Sequence, residues 1–380
     1  MLEVIFITGV FGLLGMTWLF PLGAAGFSRL IFCSKERRTP QPDSIKSIAV
    51  LIPAHNEEQK LAATLKSINA ALIHMRFRYP QVSVKLVVGA DGCSDNTSRI
   101  ALEHSASLIS CREQLGKWQM LRMLAESVPG FDWIIFADSG VIWQEDFLTR
   151  LVRTEVTSNV AAICPTYQRN GSGLVQQRLW ALERHFKTIE EKAGGPVTAH
   201  GATVVYRRRP VLKLLRVLSE NNWLNDDVVL PLLVRTLNPA YRVRYQSNLG
   251  VIDPDNKRRD CGRELTRRLR IVAGNVQWIR ELFPLVFKAN PVVALVALRR
   301  IFRLFWAYWL LMVCVPLFLA FSLKYLGLWP VTLSVLTVTA MGYLLVRTSR
   351  TARMLSEAAL ASLLAPYYFI FNRKLEVIWR

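Results

Sequence analysis

The chain is poor in acid. Its 380 residues hold 28 Asp and Glu against 48 Lys and Arg, a formal charge of +20. A deficit of that size points to an anionic partner, either nucleic acid or a lipid surface. Paired cysteines are also missing. Cys33, Cys93, Cys111, Cys164, Cys261 and Cys314 form no CxxC pair. That excludes a zinc-binding pattern and a disulfide framework, and fits reduced thiols in the cytoplasm. No internal repeat and no low-complexity linker divides the sequence. The apolar fraction, 52%, decides between the two anionic partners, because much of it lies in long runs without charge.

The runs are Val4 to Ser28, Leu304 to Leu323, and Tyr325 to Val346. Each has about 20 residues or more, enough for a helix to cross a hydrocarbon core of roughly 30 Å. The first follows Met-Leu-Glu and lacks the basic start and short apolar core of a cleaved signal. A fourth run, Ala358 to Asn372, is shorter and contains Pro366. It reads as a re-entrant segment, an interfacial one or a fourth crossing. Basic residues mark the cytoplasmic side. Arg29, Lys35, Arg37 and Arg38 follow the first run; Arg299, Arg300 and Arg303 precede the second; Arg347, Arg350 and Arg353 follow the third. All agree on an outside N-terminus with residues 34–300 inside. The expected layout is an N-terminal transmembrane helix over 1–33, a cytoplasmic domain over 45–280 and interfacial helices over 281–303. Two transmembrane helices over 304–346 and the ambiguous segment over 355–380 complete it. The chain is expected to be a multi-pass protein of a bacterial-type inner membrane, its positive charge facing membrane lipids, with no nucleic acid as partner.

The cytoplasmic part alternates strand and helix patterns. "SIAVLIPA", "VSVKLVVGAD", "DWIIFAD", "VAAIC" and "GATVVYRRR" read as strands. "LGKWQMLRMLAES", "LVQQRLWALERHFKTIEEKAGG", "DDVVLPLLVRTL" and "RELTRRLRIVAGNVQWIREL" read as helices. The alternation predicts an α/β fold with a mostly parallel sheet and helices on both faces. Ligands of such sheets bind beyond the carboxyl ends of the strands. Polar clusters stand at those ends: Asn56-Glu57-Glu58, Asp91 and Asp138.

In order, the chain shows "IPAHNEE", "ADGCSDNT", Gly116-Lys117, a strand ending in Asp138, "NDDVVLP" and Arg267-Arg268-Leu269-Arg270. This set resembles the family 2 membrane glycosyltransferases, which include hyaluronan, chitin and cellulose synthases and ceramide glucosyltransferase. The resemblance covers roughly residues 45–280. It implies a GT-A-like sheet domain, with transmembrane helices at both ends. It assigns Pro53, Ala54, Asn56, Glu57 and Asp91 to the base and ribose of a nucleotide sugar. Lys117 is implied to face the diphosphate, Asp138 to bind Mg²⁺ or Mn²⁺, and Asp227 to be the general base beside Asp226. Gly201 would border the acceptor, and Arg267, Arg268 and Arg270 the acceptor or the diphosphate. Trp180 and Glu183, on the long helix, match less specifically.

Two departures matter. Glu145-Asp146 supplies the family's later mark, eight residues after Asp138, so Gly140 stands where the second Asp of a DxD would bind metal. A second register, with Phe136 first and Asp138 second, keeps that ligand but moves the later mark out of phase. Ile271 replaces the Trp that follows the Arg motif and bounds the acceptor sugar in the family. The implied activity is inverting transfer from a UDP-sugar to a lipid, a lipid-linked glycan or a growing polysaccharide. The alternative is a catalytically weak scaffold or accessory subunit of a polysaccharide synthesis and export complex.

Overall fold

The computed structural model describes residues 1–33, 41–169, 174–219, 222–254, 261–325 and 341–371, apart from 342 and 345. The uncharged N-terminal run is helical throughout. Helix α1 spans Leu2–Leu14, a π-helical turn spans Gly15–Leu19, and α2 spans Phe20–Cys33.

Residues 25–257 and 286–293 form one compact unit. Strands β1 (Pro42–Asp43) and β7 (Val156–Thr157) make a small antiparallel pair. The main sheet contains β2 (Ser47–Ala54), β3 (Ser83–Asp91), β4 (Ser107–Cys111), β5 (Trp133–Ala137) and β6 (Ile142–Trp143). It continues with β8 (Val160–Arg169), β9 (Thr203–Arg207) and β10 (Arg242–Asp253). Eight strands run in the order β4-β3-β2-β5-β9-β8-β10-β6. Strands β4, β3, β2 and β5 are parallel to one another. Then β9 enters antiparallel between β5 and β8, β8 pairs parallel with β10, and β6 closes that edge antiparallel. The sheet is therefore mixed but mostly parallel, as expected, with β9 and β6 running against the other six strands. The reversal at β9 brings the start of that strand beside the end of β5.

Apolar strands bury fully: Ile48, Val50, Ile52, Trp133, Ile134 and Ile135 are 0–1% exposed. Helices α3 (Glu58–Arg78), α4 (Thr97–Glu103), α5 (Lys117–Glu126) and α6 (Phe147–Val152) connect this half. α7 (Leu174–Lys192), α8 (Arg208–Val217) and α9 (Asp226–Leu237) serve the other. On α3, Leu61, Leu65, Ile68, Leu72 and Met75 recur at helical spacing and pack into the core with β2 and β3. Besides the two-residue strands β1, β6 and β7, the strands β10 and β4 escape the sequence reading. β10 hides its alternation behind Arg242 and Arg244, and β4 is a short edge strand with no buried run.

The other unit, residues 1–24, 258–285 and 294–380, holds apolar helices. α10 spans Cys261–Glu281, α11 Phe283–Ala289, α12 Pro291–Leu304 and α13 Trp306–Tyr325. Helices Arg350–Leu363 and Ala365–Phe371 follow. Gly9, Gly12 and Gly15 repeat every third residue, which lets α1 lie against α13 and the end of α12. A Cβ on Gly12 would stand 2.2 Å from the Trp309 ring, and one on Gly9 2.8 Å from Met312 Cβ. Among the described residues, Leu2–Ser28 is one helix long and apolar enough to cross a membrane. Pro291–Leu304 and Trp306–Ser322 pass that test together, bent by 61°. Ser362 closes the bend: its Oγ donates to the Leu304 carbonyl at 2.7 Å and accepts from Ala307 N at 3.3 Å. The expected span Tyr325–Val346 lies mostly outside the described residues.

One carboxylate ties two helix starts in the sheet unit. Asp95 Oδ2 accepts from Glu58 N at 3.1 Å and its Oδ1 from Thr97 N at 2.9 Å. Burial pushes the Asp95 carboxyl up, but hydrogen bonds from Thr97 and the Glu58 amide outweigh it and hold the group below its ordinary value. Asp95→Ala should cost about 1–3 kcal/mol, the sum of two lost caps. A lowered folded pKa stabilises above the unfolded value of 3.8 and stops doing so as pH falls through the folded one. The melting-temperature gap between the two proteins should therefore be widest near neutral pH and narrow below pH 3.8. An unchanged gap down to full protonation would remove Asp95 from this role.

Candidate active site

Strands β2, β3 and β5 stop at one edge, with Ala54 paired to Ala90 and Leu51 to Phe136. Pro53 and Ala54 end β2, and the chain then turns sharply. Asn56 adopts a left-handed backbone, φ +52°. Its Oδ1 accepts from Ser94 N at 2.9 Å, and His55 Nδ1 lies 2.5 Å from the Asp91 carbonyl oxygen. Glu57 N donates to Thr97 Oγ1 at 2.8 Å, and its carboxylate pairs with Lys60 at 3.0 Å. Pro53, Ala54, Asn56, Glu57 and Asp91 thus converge at the adjoining ends of β2 and β3.

Asp91 is 3% exposed. Its Oδ1 accepts from Leu115 N at 2.6 Å and its Oδ2 from Gly116 N at 2.9 Å. The resemblance assigns this carboxylate to the nucleotide base, and here both of its oxygens accept backbone amides. It anchors the loop that leads into α5. Gly92, φ +59°, lets that loop approach: a Cβ there would stand 2.6 Å from Gln114 N.

The anchored loop delivers Lys117 to the first turn of α5. Its Nζ lies 2.9 Å from Asp138 Oδ1 and 3.0 Å from Asp226 Oδ1. One ammonium thus bridges the end of β5 and the start of α9. Burial alone would lower the Lys117 pKa, but Asp138 and Asp226 raise it well above the ordinary value. Lys117 therefore stays charged through neutral pH. Packing explains the encounter. Trp118, 1% exposed, meets Trp223, 3% exposed, at a ring separation of 6.3 Å. The neighbouring charges, Lys117 and Asp226, are carried together by that apolar contact.

Asp227 faces elsewhere. A Cβ on Gly201 would lie 3.4 Å from Asp227 Oδ2, so the glycine leaves space beside this carboxylate. The Asp227 carbonyl accepts from Ala199 N at 2.8 Å. Two buried cations hold this loop, and sequence reasoning missed both. Lys187 on α7, 1% exposed, donates to Thr198 O and Oγ1, and Arg235 on α9 donates to Ala193 O and Gly195 O. The only signal in the sequence was a charge on the buried stripe of each helix. Cys164 is also buried close by, and burial pushes its thiol up to about 12, which leaves it inert as a nucleophile.

Arg267, Arg268 and Arg270 lie on α10 of the other unit. On that helix the fully buried indole is Trp278, with Nε1 donating to Asn275 Oδ1 at 3.0 Å.

A divalent cation fits the sheet unit in a limited way. Among the described residues no group of three or more His, Cys, Asp or Glu comes together. Asp138 is the accessible carboxylate, and Mg²⁺ tolerates a single protein ligand when phosphates and waters fill the rest. Gly140 does not point there. It has φ +94°, its amide donates to Thr64 Oγ1 at 2.8 Å, and a Cβ would face Lys60 Cδ at 3.0 Å. Gly140→Asp should not add a metal ligand. It should destabilise by about 1–3 kcal/mol through backbone strain, and leave the metal dependence of nucleotide-sugar binding unchanged. A lower metal requirement at full stability would reverse that conclusion.

The comparisons follow this geometry. No curated protein matches the sequence. Among solved structures, the mannosyltransferase PcManGT from Pyrobaculum calidifontis, in complex with GDP-Man and Mn²⁺, has a TM-score of 0.66 at 15% identity. That match covers 98% of this chain and 100% of the other. Glucosyl-3-phosphoglycerate synthase from Mycobacterium tuberculosis, solved with Mn²⁺, UDP and phosphoglyceric acid, is more distant. Its TM-score is 0.38 at 18% identity, covering 60% of this chain and 76% of the other. The first likeness identifies the sheet unit as a GT-A-like α/β fold. The profile described as "Glycosyltransferase like family 2" matches residues 44–238, a little over half of the chain and the whole stretch from β2 through α9. The chain belongs to that family and is a family 2 glycosyltransferase.

Proposed function

We propose that this enzyme inverts the anomeric centre of a nucleotide sugar, with UDP-sugar as the donor, in one displacement. The carrying observation is the division of labour between the adjacent acids. Asp226 is paired with Lys117, whereas Asp227 borders Gly201, whose missing Cβ would stand 3.4 Å from its Oδ2. A carboxylate already neutralised by an ammonium is a poor base; its neighbour is not so engaged on the Gly201 side. Asp227 takes the proton of an acceptor hydroxyl. The hydroxyl oxygen bonds to the anomeric carbon as the bond to the diphosphate breaks. Lys117 faces the negative charge that develops on the leaving diphosphate. Asp138, with phosphate oxygens, would hold Mg²⁺ or Mn²⁺. When bound, the ion supplies further charge neutralisation on the leaving group.

The acceptor class is a lipid, a lipid-linked glycan or a growing polysaccharide, reached at the cytoplasmic face of a membrane. The apolar helix Leu2–Ser28, the bent pair near the C-terminus and the basic residues flanking them support membrane attachment. Transfer of radiolabel from a panel of UDP-sugars in membranes, with products split into lipid and polymer fractions, tests this reading. Labelling of neither fraction by any donor would defeat it.

Two variants probe the assignments. Asp227→Asn should lower turnover by about 10²-fold or more while UDP affinity changes little, because the base is lost and the donor pocket is kept. Normal turnover would remove Asp227 from that role. For Asp138→Asn, the metal concentration giving half-maximal UDP binding should rise by about tenfold or more, since even outer partners of metal sites are worth that much. An unchanged metal titration would mean that Asp138 only ends the strand and pairs with Lys117.

A further inference from the structure

We infer that the acceptor's reactive end is an uncharged sugar ring, stacked on an aromatic wall formed by Tyr167 and Trp180. This deepens the glycosyltransferase reading above and rests on it. Tyr167 stands on β8 and Trp180 on α7, with ring centroids 5.2 Å apart and planes tilted by 51°. Behind them lies His200, stacked on Tyr167 at 5.9 Å and 24°, with its edge to Trp180 at 5.4 Å and 62°. Tyr245 backs His200 at 6.4 Å. The inner rings are 9% and 5% exposed, whereas Tyr167 and Trp180 are half-buried. Buried rings thus fix an outer pair that keeps surface accessible. Tyr167 is held further by its hydroxyl, which donates to Asp253 Oδ2 at 2.5 Å.

Position ties the wall to the chemistry. His200 is bonded to Gly201, and Gly201 is the residue whose missing side chain leaves space at Asp227. The residue that backs the wall and the glycine that borders Asp227 are thus consecutive, which ties the wall to the base through one short segment. The chemistry of the rim selects the ligand. Aromatic faces carry partial negative charge and attract the C–H face of a sugar. Glu183 and Arg184 follow Trp180 by three and four residues on α7, so they share its side of the helix. Both are half-buried and of opposite sign, suited to hydroxyls. A plain alkyl chain would leave this polar rim unmatched.

The test uses the full chain in detergent with UDP present. Methyl glycosides of glucose, galactose and mannose are the probes, read by saturation-transfer NMR. At least one should bind, with transfer strongest at the protons of one ring face. Trp180→Ala and Tyr167→Leu should each weaken its Kd by about tenfold, the scale of one lost stacking contact. Trp180→Phe should stay within about threefold of the unmodified protein. UDP affinity, measured on the same samples, reports folding and tests the donor reading separately. UDP binding by the unmodified chain without binding of any glycoside overturns the inference and leaves the donor reading standing. So does a glycoside affinity unchanged in Trp180→Ala and Tyr167→Leu. Octyl phosphate binding that both substitutions weaken, with no glycoside bound, also overturns it.

Discussion

The site depends on one ammonium between two carboxylates. Lys117 lies within 3.0 Å of both Asp138 and Asp226, which come from the end of a strand and the start of a helix far along the chain. Without the cation, two like charges would face each other at the mouth of the sheet. With it, the β5 end, the α5 start and the α9 start are held at one point. The pair is only partly buried: Lys117 is 20% exposed on its side chain, Asp226 15% and Asp138 41%. Solvent therefore screens the bridge, and its contribution lies more in placing groups than in stability.

Much of the surrounding structure serves that placement. Asp91 uses both oxygens to hold the backbone that leads to Lys117. Trp118 and Trp223 bury beside the bridge and bring their charged neighbours along. On the far side of Asp227, Lys187 and Arg235 grip the loop that carries Gly201. Buried cations bonded to carbonyl oxygens are costly to disorder, because a lost partner leaves a charge in an apolar interior. The loop beside Asp227, which contains Gly194-Gly195, is thus tied at Ala193, Gly195 and Thr198.

The helical unit follows different rules. Its close contacts come from small residues, Gly9, Gly12 and Gly15 against Trp309, Met312 and Phe302. Its bend at Leu304 is stitched by Ser362, whose hydroxyl donates to Leu304 O and accepts from Ala307 N.

Periodicity and punctuation in the sequence were enough for much of the sheet unit. Strands β2, β3, β5 and β9 and helices α7 and α9 stand where apolar runs, Asp-Gly turns and Gly-Gly stops put them. The ordered polar motifs marked the family, and Lys117, Asp138, Asp226 and Asp227 were visible as candidates. The antiparallel insertion of β9 was not visible, because strand direction follows from which edges pair and not from composition. Nor was β10, whose arginines mask its alternation. A carboxylate at a strand end looks the same in sequence whether it faces a ligand or its own backbone. The fold showed that both Asp91 oxygens accept backbone amides, while Asp138 is 41% exposed. Likewise Gly140 reads as a missing ligand in sequence, and its left-handed backbone beside Lys60 shows a turn that points elsewhere. Local pattern determined which groups were present. Long-range pairing decided which of them meet, because contacts between distant residues depend on strand order, register and packing that no local pattern encodes.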